Sequence, residues 1–227
     1  MQLNPNPAEL VTAATNVPLC VSAIAAATFL TLRPRRTSLR AGLWAAMFAS
    51  LAVASGLGMA AHGLTLNDAV KDRLWCFINA ALALTVACFA AGVVLDGWSE
   101  TVARRSLPFL LLLSAGFFYY ANFCASSFLP FIIYEGAAML FSLAVYVTLA
   151  ARGRLPGAAW IAAGVSFTIL AAVLQATRLL TFTIIVPFDH NGVFHLAQLP
   201  GLFCSFIGVQ KGISWPVTAD FRGAQNP

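Results

Sequence analysis

Charge is what this sequence has least of. Of its 227 residues only 9% are Asp, Glu, Lys or Arg, while 60% are hydrophobic; an ordinary soluble domain carries roughly 25% charged residues. A soluble globular domain is excluded. Lysine is scarcer still: Lys71 and Lys211 are the only two, both at the ends of apolar runs, so no helix interior offers the amine a retinal Schiff base needs. The five cysteines (Cys20, Cys76, Cys88, Cys124, Cys204) show no CxxC or paired spacing, which argues against a disulfide framework or a thiolate zinc site. A GxSxG elbow, a phosphate-binding GxxxxGK[ST] loop and a dinucleotide fingerprint are all missing. The opening MQLNPNPAEL has no Lys or Arg, the reverse of a cleaved signal peptide. The net charge of +5 is dispersed in short clusters and marks no nucleic-acid surface.

What is present is a series of long apolar runs separated by polar, charged or Pro/Gly-bearing breaks: RPRRTSLR, LNDAVKDR, DGWSETVARR, SSFLP, RGRLPG and VPFDHNG. A bilayer-spanning helix needs about 20 apolar residues. The runs predict seven helices, near 9–32, 41–65, 72–95, 104–124, 128–151, 156–186 and 191–211, in one all-α integral membrane domain over 1–215, with a short polar tail over 216–227. The connections after helices 1, 3 and 5, plus the tail, hold Arg33, Arg35, Arg36, Arg40, Arg104, Arg105, Arg152, Arg154, Lys211 and Arg222, against Lys71 and Arg73 opposite. The positive-inside rule then puts the amino terminus outside and the carboxyl terminus in the cytoplasm, as in a multi-pass protein of a bacterial inner membrane. Trp44, Trp75, Trp98, Trp160 and Trp215 fall near predicted helix ends, as interfacial indoles do.

Ionisable side chains at membrane depth are costly, and their placement points to function. In this topology Ser55, His62, Asp72, Glu135, Gln175, Arg178, Asp189, His190, Asn191, His195 and Gln198 all fall in the outer half, and the inner half is almost free of such groups. Three imidazoles suit zinc, which takes three protein ligands and a water in catalytic sites. The His190/His195 pair is spaced i, i+5, leaving the rings about 140° apart on an ideal helix, so His190 serves only from a non-helical cap. Asn191, four residues before His195, is the alternative occupant. Asp72 either caps helix 3 or belongs to the site. Arg178 pairs with Glu135 or Asp189, or holds a substrate headgroup.

The motifs SGLGMAAHG (55–63), DRLW (72–75) and DHNGVFHLAQ (189–198), set on a seven-helix layout, resemble the superfamily uniting alkaline ceramidases with the progestin and adipoQ receptors. That resemblance implies a zinc-bound water cleaving lipid amide bonds. Carried over, His62, His190 or Asn191, and His195 are the metal group, with Asp72 and Ser55 assisting. Where that superfamily places its Ser, four residues before the helix 2 His, this chain has Gly58. The resulting expectation is a zinc-dependent hydrolase of a lipid amide or ester; the alternative is a non-catalytic sensor or receptor whose metal or ion-pair cluster locks helices 2, 3 and 7. A transporter is disfavoured by the apolar inner half.

Overall fold

The computed structural model describes residues 2–32, 38–125, 127 and 129–213. The polar tail from 216 onward, Trp215, and Arg33, Arg35, Arg36 and Arg222 lie outside the described residues. Among the described residues seven helices are long and apolar enough to cross a membrane: α1 (Pro7–Leu32), α2 (Leu39–Gly63), α3 (Asp68–Gly97), α4 (Glu100–Phe123), α5 (Leu129–Ala151), α6 (Ala158–Thr177) and α7 (His190–Ile213). Their starts follow local chemistry. Ser38, Asn67 and Ser99 each accept a hydrogen bond from the backbone N–H three residues on, at Ala41, Val70 and Val102, covering a donor that the first helical turn leaves free. Asn67 therefore starts α3 four residues earlier than the pattern suggested, and Asp72 lies in the second turn instead of at the cap.

Consecutive helices alternate in direction. Asn4 N–H donates to Gly63 O across the start of α1 and the end of α2, Asn79 meets Asn122 between α3 and α4, and Gly157 meets Gly208 between α6 and α7. Helix α1 packs on α2 and α7, α2 on α3, α3 on α5, and α5 on α6, which returns to α7. The ring is closed. Helix α4 leans on α3 and α5 from outside and buries only Ala103, Ser114 and Phe117.

The two ends of this ring differ. Opposite the amino terminus it is filled: Trp44, fully buried, meets Phe89 edge-on at 5.4 Å, and Phe206 packs edge-on against Phe29 and Phe48. Trp44 thus belongs to the core, not to an interfacial belt; five residues into α2, its indole faces Gly92, where any Cβ would crowd it at 3.2 Å. Beside it sits a buried ionic node. Arg40 Nε donates to Asp96 Oδ1 at 2.5 Å and its Nη1 to Gly212 O at 2.6 Å, while Tyr146 donates its hydroxyl to Asp96 Oδ2 at 3.0 Å. The expectation of an inner half nearly free of ionisable groups is corrected here. Sequence position placed Arg40 and Asp96 in the polar breaks, but helical rotation turns both inward.

Two further departures concern α6 and α7. The sixth apolar run does not stay helical to 186; α6 stops at Thr177, Arg178 turns left-handed (φ 54), and Phe182–Thr183 (β1) pairs antiparallel with Pro187–Phe188 (β2). The β-branched run Thr181, Thr183, Ile184, Ile185, Val186 favours extended backbone. The α6–α7 seam is built of small residues: Gly157, Gly164, Gly201, Ser205 and Gly208 let the backbones approach so closely that a Cβ on Gly164 would lie 2.7 Å from Gly201 O, and one on Gly208 2.7 Å from Gly157 O.

Two stability predictions follow from these contacts. Gly164→Ala and Gly208→Ala should each destabilise by about 1–3 kcal/mol through overpacking, whereas Gly42→Ala on open space should be neutral or slightly stabilising; thermal unfolding in detergent measures the contrast. Asp96→Ala leaves Arg40 buried without its partner and should cost about 3–5 kcal/mol, read the same way.

Candidate functional site

At the end where α1 begins, the ring does not fill. A cavity of about 1000 Å³ opens there, at the upper end of the ordinary range for ligand sites. Ser55, His62, Asp72, Glu135, Gln175, Arg178, His190, Asn191, His195 and Gln198 all line it. Ten of the eleven residues singled out from sequence therefore line one cavity. Asp189 does not; its Oδ1 accepts from Thr12 Oγ1 at 2.8 Å, Gly192 N–H at 2.8 Å and Asn191 N–H at 3.1 Å, so it caps α7 and ties that helix to α1.

The cavity is polar at the mouth and apolar below. Side chains three and four residues apart along each helix face it, so each descends in steps of about 5.4 Å: on α3, Asp72, Trp75, Asn79, Leu82, Val86 and Phe89; on α7, His190, Phe194, Gln198, Leu202 and Ser205. On α3 Asp72 and Asn79 precede Leu82, Val86 and Phe89, with Thr85 among these; on α7 His190 and Gln198 lie above Leu202, with Phe194 between them and Ser205 below. Leu51, Val86, Met139, Val165 and Leu202 make the floor.

Helix α1 orients the two principal histidines, and this was not anticipated. Glu9, Thr12 and Asn16 recur at i, i+3, i+7 with Thr15 beside them, a polar stripe in an apolar run and the signal that could have revealed it. His62 Nδ1 lies 2.7 Å from Glu9 Oε2; an ionised carboxylate accepts only, so Nδ1 carries the proton. Thr15 Oγ1 lies 2.9 Å from Thr12 O and 3.0 Å from His195 Nδ1. The carbonyl accepts the single hydroxyl proton, so His195 Nδ1–H donates to Thr15 in turn. In both rings Nε2 is left as the lone acceptor, with no hydrogen-bond partner among the described residues. Trp75 holds the His62 ring edge-on at 5.7 Å. Asn16, 4% exposed, occupies the space beside Gly58, 3.4 Å from where a Cβ would stand; a serine there would meet the Asn16 amide.

The remaining candidates have separate partners. Gln175 Nε2 donates to Asn191 Oδ1 at 3.0 Å, joining α6 to α7, and Gln198 Nε2 donates to Thr168 at 3.1 Å. Ser55, two turns and about 10.5 Å along α2 from His62, makes no hydrogen bond to it. Arg178 is exposed and pairs with neither Glu135 nor Asp189; the ion pairs among the described residues are Arg40–Asp96, His62–Glu9 and Arg104–Glu100. A three-histidine zinc centre needs ligands converging within about 2.0–2.1 Å of one point. Among the described residues no three of His, Cys, Asp and Glu converge in that way. His62, His190 and His195 all line the cavity, but the set does not fit a three-ligand centre in this arrangement.

A family model described as a family of unknown function (DUF6962) matches residues 11–214, and the chain belongs to that family. No curated protein and no solved structure matches it.

Asp189 sets a pH dependence. Burial alone would raise its carboxyl, but the hydrogen bonds from Gly192, Thr12 and Asn191 and the neighbouring His190 together hold it below the usual carboxylate range. Its stabilisation is therefore complete above the unfolded value, about 3.9, and is lost as pH falls through the lower folded value. Asp189→Ala should lower stability by about 0.5–2 kcal/mol near neutrality, as loss of a cap does, and should flatten the acid limb of a melting-temperature profile.

Proposed function

We propose that this member of the family is a multi-pass membrane protein that binds a single-chain amphiphile in the cavity, tail toward the apolar floor and polar head at the ring of His62, Asp72, Arg178 and His190. The supporting observation is that the ionisable lining residues His62, Asp72, Arg178 and His190 stand at the mouth, while the floor is mostly aliphatic and aromatic, with the hydroxyls of Thr85 and Ser205 its polar groups. A uniformly apolar pocket would suit a hydrocarbon, and a uniformly polar one a solute. The seven apolar helices and the bias of Arg104, Arg105, Arg152, Arg154 and Lys211 to one side support an amino terminus outside and a carboxyl terminus in the cytoplasm, so the mouth faces the outer side.

A second reading, hydrolysis of an amide or ester in that amphiphile, is favoured by the His62–Glu9 pair. Glu9 fixes the imidazole with its proton on Nδ1, and Nε2 is then a base that takes a proton from a water in the cavity as the water attacks a carbonyl; the imidazolium returns that proton to the leaving alcohol or amine as the ester C–O or amide C–N bond breaks. His195, set the same way by Thr15, offers a second acceptor for orienting that water. This keeps the chemistry implied by the resemblance to the alkaline ceramidase superfamily while routing no step through a metal. Ser55 is too far from His62 to be the nucleophile it activates.

Leu202→Trp should fill the floor and abolish saturable binding of dodecanol by the purified protein in nanodiscs, whereas Phe203→Trp on the exterior (62% exposed) should not. Equal binding by Leu202→Trp would sink the amphiphile reading. For hydrolysis, turnover of 4-nitrophenyl dodecanoate or N-dodecanoyl glycine should vanish in His62→Ala, fall about 10²–10⁴-fold in Glu9→Gln, and survive chelation. Loss on chelation with recovery in zinc would restore a metal mechanism, and no turnover by wild type on any acyl probe leaves binding alone.

A further inference from the structure

Transferring an acyl chain from a bilayer into an apolar pocket gains little, because lipid tails are as apolar as leucine. Selectivity therefore rests on the head, and the wall carries charge that the protein does not itself neutralise. Glu135 lies six residues, about 9 Å, down α5 from Leu129 and lines the cavity with no hydrogen bond or ion pair among the described residues. Arg178 lines the mouth, equally unpaired. The other carboxylates of the bundle interior have donors: Asp96 has Arg40, and Glu9 has His62. At a depth like that of Glu135, eight residues or about 12 Å down α7 from His190, Gln198 Oε1 is buried without a donor although the same amide donates to Thr168.

These groups are ordered by depth. The apolar floor begins one turn below Glu135, at Met139, and Arg178 stands above, where α6 ends. Gln198 Oε1 and the ionised Glu135 carboxylate both accept, so the part of the head next to the tail must donate; Trp75 and Phe194 also line the cavity, and aromatic rings suit a cation. At the mouth Arg178 only donates and the exposed Asp72, also without an ion pair among the described residues, only accepts; the part of the head against Arg178 must accept, and a guanidinium favours the paired oxygens of a carboxylate or phosphate. Resting on the amphiphile reading above, we infer that the occupant is a zwitterion with a protonated nitrogen on the tail side of an anionic group, the nitrogen against Glu135 and Gln198 and the anion against Arg178. The reverse order, as in a phosphocholine head, would set phosphate oxygens against two acceptors and leave a cation beside Arg178.

The test uses the full chain in nanodiscs and calorimetric titration with probes sharing one dodecyl tail. N-dodecylglycine and 2-(dodecylamino)ethyl phosphate have the inferred order and distinguish a carboxylate from a phosphate partner. Dodecylphosphocholine has the reverse order, dodecylamine and dodecanoate carry one charge each, and dodecanol carries none. At least one of the first two should bind at least tenfold more tightly than dodecanol and dodecylphosphocholine. Glu135→Gln should erase that advantage and Arg178→Gln should reduce the zwitterions to the level of dodecylamine, while both variants should remain monodisperse and unfold cooperatively on heating, which shows that they are folded. Glu135→Asp should retain part of the preference. Equal binding of dodecanol and the zwitterions, tightest binding of dodecylphosphocholine, or a full advantage in Glu135→Gln overturns the inference while leaving the amphiphile site standing. If no probe binds, dodecanol included, the amphiphile reading fails and this inference with it.

Discussion

The buried ion pair between Arg40 and Asp96 is the constraint on which the rest of the bundle depends. Removing two charges from water is expensive, and the mutual attraction compensates only when the remaining donors and acceptors are also satisfied. Here they are, by Gly212 O and the Tyr146 hydroxyl. The consequence is geometric as much as energetic. Arg40 is on α2, Asp96 on α3, Tyr146 on α5 and Gly212 on α7, so one node draws four of the six ring helices together at the end remote from the cavity. Trp44, Phe48, Phe89 and Phe206 then fill the space around it.

With that end closed, the helices are free to enclose open space at the other. Opening a cavity in a packed bundle sacrifices dispersion contacts, and the walls compensate with polar ties between neighbours: Gln175 to Asn191, Gln198 to Thr168, Asn79 to Asn122, and Thr12 to Asp189. Each joins two helices, or joins α1 to the cap of α7. The α6–α7 glycine seam serves the same end by a different means, because close backbone approach replaces side-chain interdigitation and leaves the cavity-facing side of both helices uncrowded.

Helix α1 contributes little of the cavity wall, Asn16 and Leu19, yet it determines the chemistry of what the wall presents. Glu9 and Thr15 each accept a hydrogen bond from the Nδ1–H of a histidine on another helix, and in doing so choose which nitrogen keeps its lone pair. The choice follows from counting donors and acceptors, since a carboxylate has no proton to give and the one on Thr15 goes to the Thr12 carbonyl. Asn16 closes the position beside Gly58, so the departure from the superfamily pattern on α2 is matched by a bulkier polar residue on α1.

The number of helices, their approximate spans and the polar end of the bundle were legible in the sequence, because each depends on local properties: the length of an apolar run, a capping residue, a polar break. That ten of the eleven candidate residues face one cavity was likewise implied by their clustering at alternate helix ends, given that an isolated polar group in an apolar surrounding is costly. Tertiary structure alone decided the partners. Glu9 finds His62 across 53 positions, Thr15 finds His195 across 180, and Arg40 finds Asp96 across 56. A hydropathy pattern records how far a residue lies along its helix but not how that helix is rotated about its axis, and rotation separates a flanking charge from a buried ion pair. The same reason explains why the histidines share a cavity without converging on one point: co-location needs only depth, whereas coordination needs rotation and side-chain direction in three helices at once.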